Sequence, residues 1–121
     1  MAPTRRFLDR LKQENRTISE PLTLLALVDT GASHTVIQQG LAQKLGLEPA
    51  GTAVIATPAS AGVVCLRYEA RLLFPHQIWV ECLVTEAPME EQEVQALIGR
   101  DILSRCILVY LGERNTFTLS F

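Results

Sequence analysis

Apolar and polar residues alternate without a break from Ile78 to Thr85. Ile78, Val80, Cys82 and Val84 fall on one side, and Trp79, Glu81, Leu83 and Thr85 on the other. A period of two marks a strand with two distinct faces. With residues 66–73 before it and Phe74-Pro75-His76 between, this run predicts a β-hairpin. A second hairpin is expected over 52–68, where Val54-Ile55 enter, residues 57–62 turn and Val63 to Leu66 return. Apolar runs at 22–28, 35–37, 94–98, 107–111 and 116–121 read as further short strands, the first opened by Pro21. In the last of them Phe117, Leu119 and Phe121 share one face. Helical spacing is confined to three places. They are residues 4–14, with Phe7, Leu8 and Leu11; residues 38–45, stopped by Gly46 and Pro49; and a turn or two over 100–105. Residues 86–93 form an acidic surface loop. Many short strands with two small helices predict a small, mostly antiparallel β barrel.

The chain has 121 residues, enough for one domain with a modest core. Its formal charge of −2 gives no reason to expect a nucleic-acid partner. The charge is uneven: residues 1–16 hold Arg5, Arg6, Arg10, Lys12 and Arg16 against Asp9 and Glu14, a local +3 that leaves −5 elsewhere. Residues 1–16 are therefore read as a basic segment, helical or disordered, and residues 17–121 as the domain proper. No apolar run approaches the ~20 residues that span a bilayer, and no apolar stretch of a secretory signal is evident near residue 1. Cys65, Cys82 and Cys106 are widely spaced among apolar neighbours, so they read as buried hydrophobes in a reducing compartment. A cytoplasmic location is expected. No metal or other cofactor is expected, because His34 and His76 have no Cys or His partner at ligand spacing.

The chemistry concentrates at Asp29-Thr30-Gly31, which follows Leu24-Leu25-Ala26-Leu27-Val28 and is followed closely by Val36-Ile37. Asp-Thr-Gly is also ordinary turn chemistry. Its apolar flanks, however, put this carboxylate at the end of a buried strand. Gly31 permits a tight turn and a close approach of backbone to a ligand, and the Thr30 hydroxyl can lock the turn. The segment resembles the catalytic loop of aspartic proteases, and the chain length narrows the resemblance to the retroviral-type, single-domain branch. Two further segments agree. Ala96-Leu97-Ile98-Gly99-Arg100-Asp101-Ile102-Leu103 resembles the hydrophobic-Ile-Gly-Arg-(Asn/Asp)-hydrophobic-Leu segment of retropepsins, and Thr118-Leu119-Ser120-Phe121 resembles their terminal Thr-Leu-Asn-Phe strand.

The resemblance implies a closed antiparallel barrel that acts as a homodimeric aspartic endopeptidase on peptide or protein substrates. Such chemistry needs two carboxylates sharing a proton. Of the three aspartates, Asp9 lies in the basic segment, and Asp101 suits a helix cap or an arginine partner. Asp29 thus supplies half a site, and a two-fold axis beside it would supply the other half. By position, Thr30 would hydrogen-bond to the partner's loop, and Gly31 would offer its carbonyl to substrate. Ala32 and Ser33 would border the cleft, and Leu97 and Ile98 would line pocket walls. Arg100 would brace the loop and the dimer, its alternative being a solvated helix residue. Residues 57–62, with Ala59, Ser60 and Ala61 toward the substrate, would form the flap. Trp79 and Phe74 read as packing. The homodimer would form through strand 116–121 and the Asp29 loop.

Three departures stand out. Ser33 occupies a position that is usually acidic and paired with the helix arginine. The flap tip carries Gly62 and Pro58 where the family is glycine-rich. Residues 1–16 do not look like the family's interleaving N-terminal strand. The helix at 38–45 followed by Gly-Leu-Glu-Pro looks more like cellular, bacterial-type members than viral ones. The alternative reading is a non-catalytic dimerisation or peptide-binding module that keeps this fold.

Overall fold

Three-residue strands on one side and long hairpin strands on the other make up one mixed sheet. The computed structural model describes residues 1–57, 60–89 and 93–121, and of residues 56, 57, 60 and 61 it describes the backbone alone. The elements are α1 (Arg5–Gln13), β1 (Ala26–Val28), β2 (Val36–Gln38), α2 (Leu41–Leu45), β3 (Glu48–Thr57), β4 (Ser60–Phe74), β5 (Ile78–Ala87), β6 (Ala96–Ile98), α3 (Arg100–Leu103), β7 (Ile107–Leu111) and β8 (Thr116–Ser120). The six-stranded sheet has the order β1-β6-β2-β5-β4-β3, and β7 and β8 pair separately. β6 therefore slots between β1 and β2, parallel to β1 and antiparallel to β2.

The expected closed antiparallel barrel is corrected on two counts. The sheet is mixed, since β2 also runs parallel to β5, and among the described residues it stays open, with β1 and β3 as its edges. Residues 22–25, expected to be strand, lie outside it. The Leu25 amide donates to the side chain of Gln95 at 2.7 Å, and the Leu22 amide donates to the carbonyl of Met1 at 3.0 Å. With those donors engaged elsewhere, β1 begins only at Ala26. Residues 1 and 2 lie between the two sides instead: Ala2 exchanges two backbone hydrogen bonds with Arg71 of β4, and Met1 exchanges two with Leu22.

Even-numbered positions of β4 and their partners on β5 face the main core. Ala70, Leu72 and Val84 pack there with Ile37, Ala42, Leu45, Ala96, Ile98 and Ile102. Each large side chain so buried contributes about 1.5–3 kcal/mol. α2 starts later than the spacing suggests, because Gln38 is still paired in β2. α1 is capped by the Thr4 hydroxyl, which accepts from the Phe7 amide at 3.3 Å, and it buries Phe7 and Leu11. Its arginines meet acids on the hairpin: Arg10 reaches Glu48 at 2.7 Å, and Arg6 lies 3.5 Å from Glu69. In the 86–93 stretch, Ala87 still belongs to β5 and Met89 is buried, while residues 90–92 lie outside the described residues. No helix among the described residues is long and apolar enough to cross a membrane.

The cysteines are unpaired thiols. Burial first, and the nearby Asp101 carboxylate second, push the Cys82 thiol up to about 12. A thiol held so far from its thiolate is a poor nucleophile at neutral pH. Cys82 is accordingly expected to resist alkylation in the folded chain and to react once urea unfolds it. Mass spectrometry showing equal labelling in both states would contradict that environment.

Candidate functional site

β1 ends at Val28, and the chain then turns through residues 29–35 before entering β2. The Asp29 amide is held by the Ile98 carbonyl at 2.9 Å, so β6 fixes the point where the turn begins. Inside the turn, the Gly31 amide donates to Asp29 Oδ1 at 2.9 Å, and the Ala32 amide to the Asp29 carbonyl at 3.2 Å. The short side chain thus bonds its own backbone two residues on, as aspartate does in tight turns. Gly31 is not in a left-handed conformation. What it supplies is room, since a Cβ there would lie 3.1 Å from Asp29 Oδ1. Asp29 remains partly exposed at the mouth of the turn.

α3 locks this loop from below. Arg100 donates through Nη1 to the Thr30 carbonyl at 2.8 Å and through Nη2 to Ser33 Oγ at 3.0 Å, and its amide donates to the Ala32 carbonyl at 2.9 Å. Serine therefore accepts a hydrogen bond from the guanidinium where the family resemblance implies an ion pair, and Thr30 engages the brace through its carbonyl. Asp101 has no arginine partner among the described residues, but its carboxylate does serve the first turn of α3. Its carboxylate accepts from the Thr35 amide at 3.0 Å and from the Thr35 hydroxyl at 2.8 Å, as well as from the Ile102 amide at 2.9 Å. The Thr35 hydroxyl in turn accepts from the Gly99 amide at 3.1 Å, and Thr35 is fully buried. Thr35 and Asp101 are the residues that sequence reasoning missed. The available signal was a hydroxyl six residues after Asp29 and an acid directly after Gly99-Arg100.

Gly99 explains how closely the two halves approach. A Cβ there would sit 2.6 Å from the backbone carbon and oxygen of His34 and 3.0 Å from the Ala32 carbonyl. Backbone cannot move aside as a flexible side chain can. Gly99→Ala is expected to destabilise the chain by about 3 kcal/mol or more, at the upper end for overpacking. A urea midpoint unchanged from the parent chain would show that the contact is looser than this.

The remaining site residues divide. Ala32 and Ser33 stand on the loop beside Asp29, with Ala32 partly buried and Ser33 exposed. Leu97 is half-buried, but its neighbour Ile98 is turned into the core at 6 % exposure, since successive strand residues face opposite ways. Ile98 thus belongs to the core, and it also lines the apolar cleft that Leu24, Val28, Leu72 and Phe117 border. Ser60 and Ala61 open β4, whose pairing with β3 runs to Thr57 opposite Ser60, and Ala59 lies outside the described residues. Beyond the tip, Val54, Val64 and Leu66 are exposed on the continuation of the core face. Phe74 packs against Phe121 with centroids 5.0 Å apart and rings tilted by 42°, and Trp79 lies under the guanidinium groups of Arg5 and Arg71. Among the described residues, no three His, Cys, Asp or Glu side chains converge to hold a metal.

Residues 16–105 match the sequence model of the family described as gag-polyprotein putative aspartyl protease. No curated protein matches the chain. Among solved structures, it is similar to the retroviral protease-like domain of Ddi1 from Leishmania major. The two share 21% sequence identity over 82% of this chain and 90% of that one, with a TM-score of 0.48.

Proposed function

Since this chain belongs to the gag-polyprotein, retroviral-type family of aspartyl proteases, we propose that it is an aspartic endopeptidase whose site is completed by a second copy. The observation that carries the reading is Asp29, a partly exposed carboxylate at the end of β1 in a turn braced at Thr30, Ala32, Ser33 and Thr35 by α3. Such bracing fixes a reacting group far better than a free loop would. Asp9 lies on α1 and Asp101 is taken up by Thr35, so neither aspartate can join Asp29 within one chain.

In the proposed dimer, residues 17–121 form the protease domain and the two Asp29 carboxylates share one proton across the axis. The ionised member takes a proton from a water held between them, and that water attacks the scissile carbonyl. The protonated member hydrogen-bonds the carbonyl oxygen as negative charge develops. Gly31 would hold the substrate backbone, Ala32, Ser33, Leu97 and Ile98 would border its side chains, and the β3–β4 hairpin with Ala59, Ser60 and Ala61 would cover it. Reaction through a shared proton confines activity to the acidic side, since alkali removes that proton. The β7–β8 hairpin supports the dimer, because Ile107, Tyr110 and Phe117 are 67%, 65% and 53% exposed on a single chain.

The test is a peptide mixture incubated with the protein over a dilution series at acidic pH, with cleavage read by mass spectrometry and assembly by sedimentation. Cleavage that falls as dimer gives way to monomer is expected. Peptide binding by a dimer with no cleavage would favour a non-catalytic module instead.

A further inference from the structure

Behind the Asp29 loop, between α1, the hairpin face of β4 and β5, and the end of α3, lies a cleft of about 530 Å³. Three acids and three arginines line it, and they are not equally engaged. Glu69 lies 3.5 Å from Arg6, and Glu81 accepts the Arg5 amide at 3.0 Å. Asp101 is filled by Thr35 and Ile102. On the cationic side, Arg6 is shared by Glu48 and Glu69. Arg105 gives one N–H to the Glu81 carbonyl at 3.2 Å and has no carboxylate partner among the described residues. Arg67 has neither ion pair nor hydrogen bond among them, and its Nε is shut away from solvent without an acceptor. Directly opposite it across β4 and β5 stands Thr85, fully buried, whose Oγ1 also lacks a partner.

A buried N–H without an acceptor costs about 1–3 kcal/mol, and more on a charged group. A guanidinium presents its donors as a planar fork that matches the paired oxygens of a carboxylate or phosphate. The acids of the cleft are satisfied, and the groups left over are donors. We propose that this cleft binds a ligand through an oxyanion, carboxylate or phosphate, held by Arg67 and Arg105. The site is separate from the Asp29 carboxylate and does not depend on proteolysis.

The experiment is a titration of the full chain, labelled for heteronuclear NMR, with inorganic phosphate and separately with acetate, chloride holding ionic strength constant. Saturable shifts at Arg67, Arg105 and His34, another residue of the cleft wall, are expected with at least one of the two anions. A response to phosphate alone assigns a phosphate-bearing ligand, and a response to acetate a carboxylate. Arg67→Gln should weaken the binding by about tenfold or more, the scale of losing one charge-assisted hydrogen bond. Arg105→Gln, at an exposed position that leaves the packing alone, should weaken it as well. Shifts that match those from chloride, or affinity unchanged in both variants, would overturn the proposal.

Discussion

Asp29→Asn is expected to lower peptide cleavage by about a thousandfold or more, within the range that general acid–base groups contribute. The two side chains are almost the same size. The bond from the Gly31 amide to Oδ1 at 2.9 Å can be made equally well by an asparagine oxygen, so the turn should persist. An amide, however, can neither take a proton from water nor share one with its mate. Because the proposed site draws Asp29 from both copies, the substitution removes both carboxylates at once. Cleavage rates, unfolding midpoints and sedimentation of parent and variant would be compared. Cleavage at the parent rate by a folded Asp29→Asn dimer would end the aspartic-protease reading.

Phe117→Asp is expected to produce a folded monomer with no measurable cleavage. Phe117 sits opposite Tyr110 on the β7–β8 hairpin, and both are largely exposed on the single chain. An aspartate there costs the monomer little, since nothing buried is disturbed. In a dimer closed by this hairpin, the same carboxylate would meet its own copy near the axis, desolvated and repelled. Removing the strand altogether, by ending the chain after Asn115, should abolish activity too, but that also strips β7 of its partner and Phe74 of its packing against Phe121. The point substitution is therefore the cleaner test. Full specific activity from a Phe117→Asp monomer would sink the account of where the second carboxylate comes from.

What could be read from the sequence was local. The alternation over Ile78–Thr85 identifies β5, and the helical spacing of Phe7 and Leu11 marks the buried face of α1. The turn at Asp29 was visible because a polar triplet interrupts an apolar run. Whatever depends on partners far away in the chain was hidden. Leu22 to Leu25 have the composition of a strand, but Met1 and the Gln95 side chain take their amides. Ile98 looks identical in kind to Leu97, and only the orientation of β6 decides which faces the core. Asp101 was read for its neighbours in sequence, whereas its geometry is set by Thr35 on another element. The open, mixed sheet was missed for the same reason: hydrophobic period predicts strands, not the direction of those beside them.

The place of β6 between β1 and β2 has a consequence in time. β1, the Asp29 turn and β2 are contiguous, yet they cannot lie side by side, because the strand that joins them arrives from residues 96–98. Contacts of such long range carry a large entropic cost of loop closure and form late. Until β6 inserts, the Asp29 amide has no Ile98 carbonyl, Thr35 has no Asp101, and Arg100 is nowhere near the turn. The turn that carries the carboxylate can therefore be organised only once β6 has joined β1 and β2. A chain in which β6 has not inserted lacks every one of those contacts, so any hydrolytic chemistry this protein performs waits for that strand.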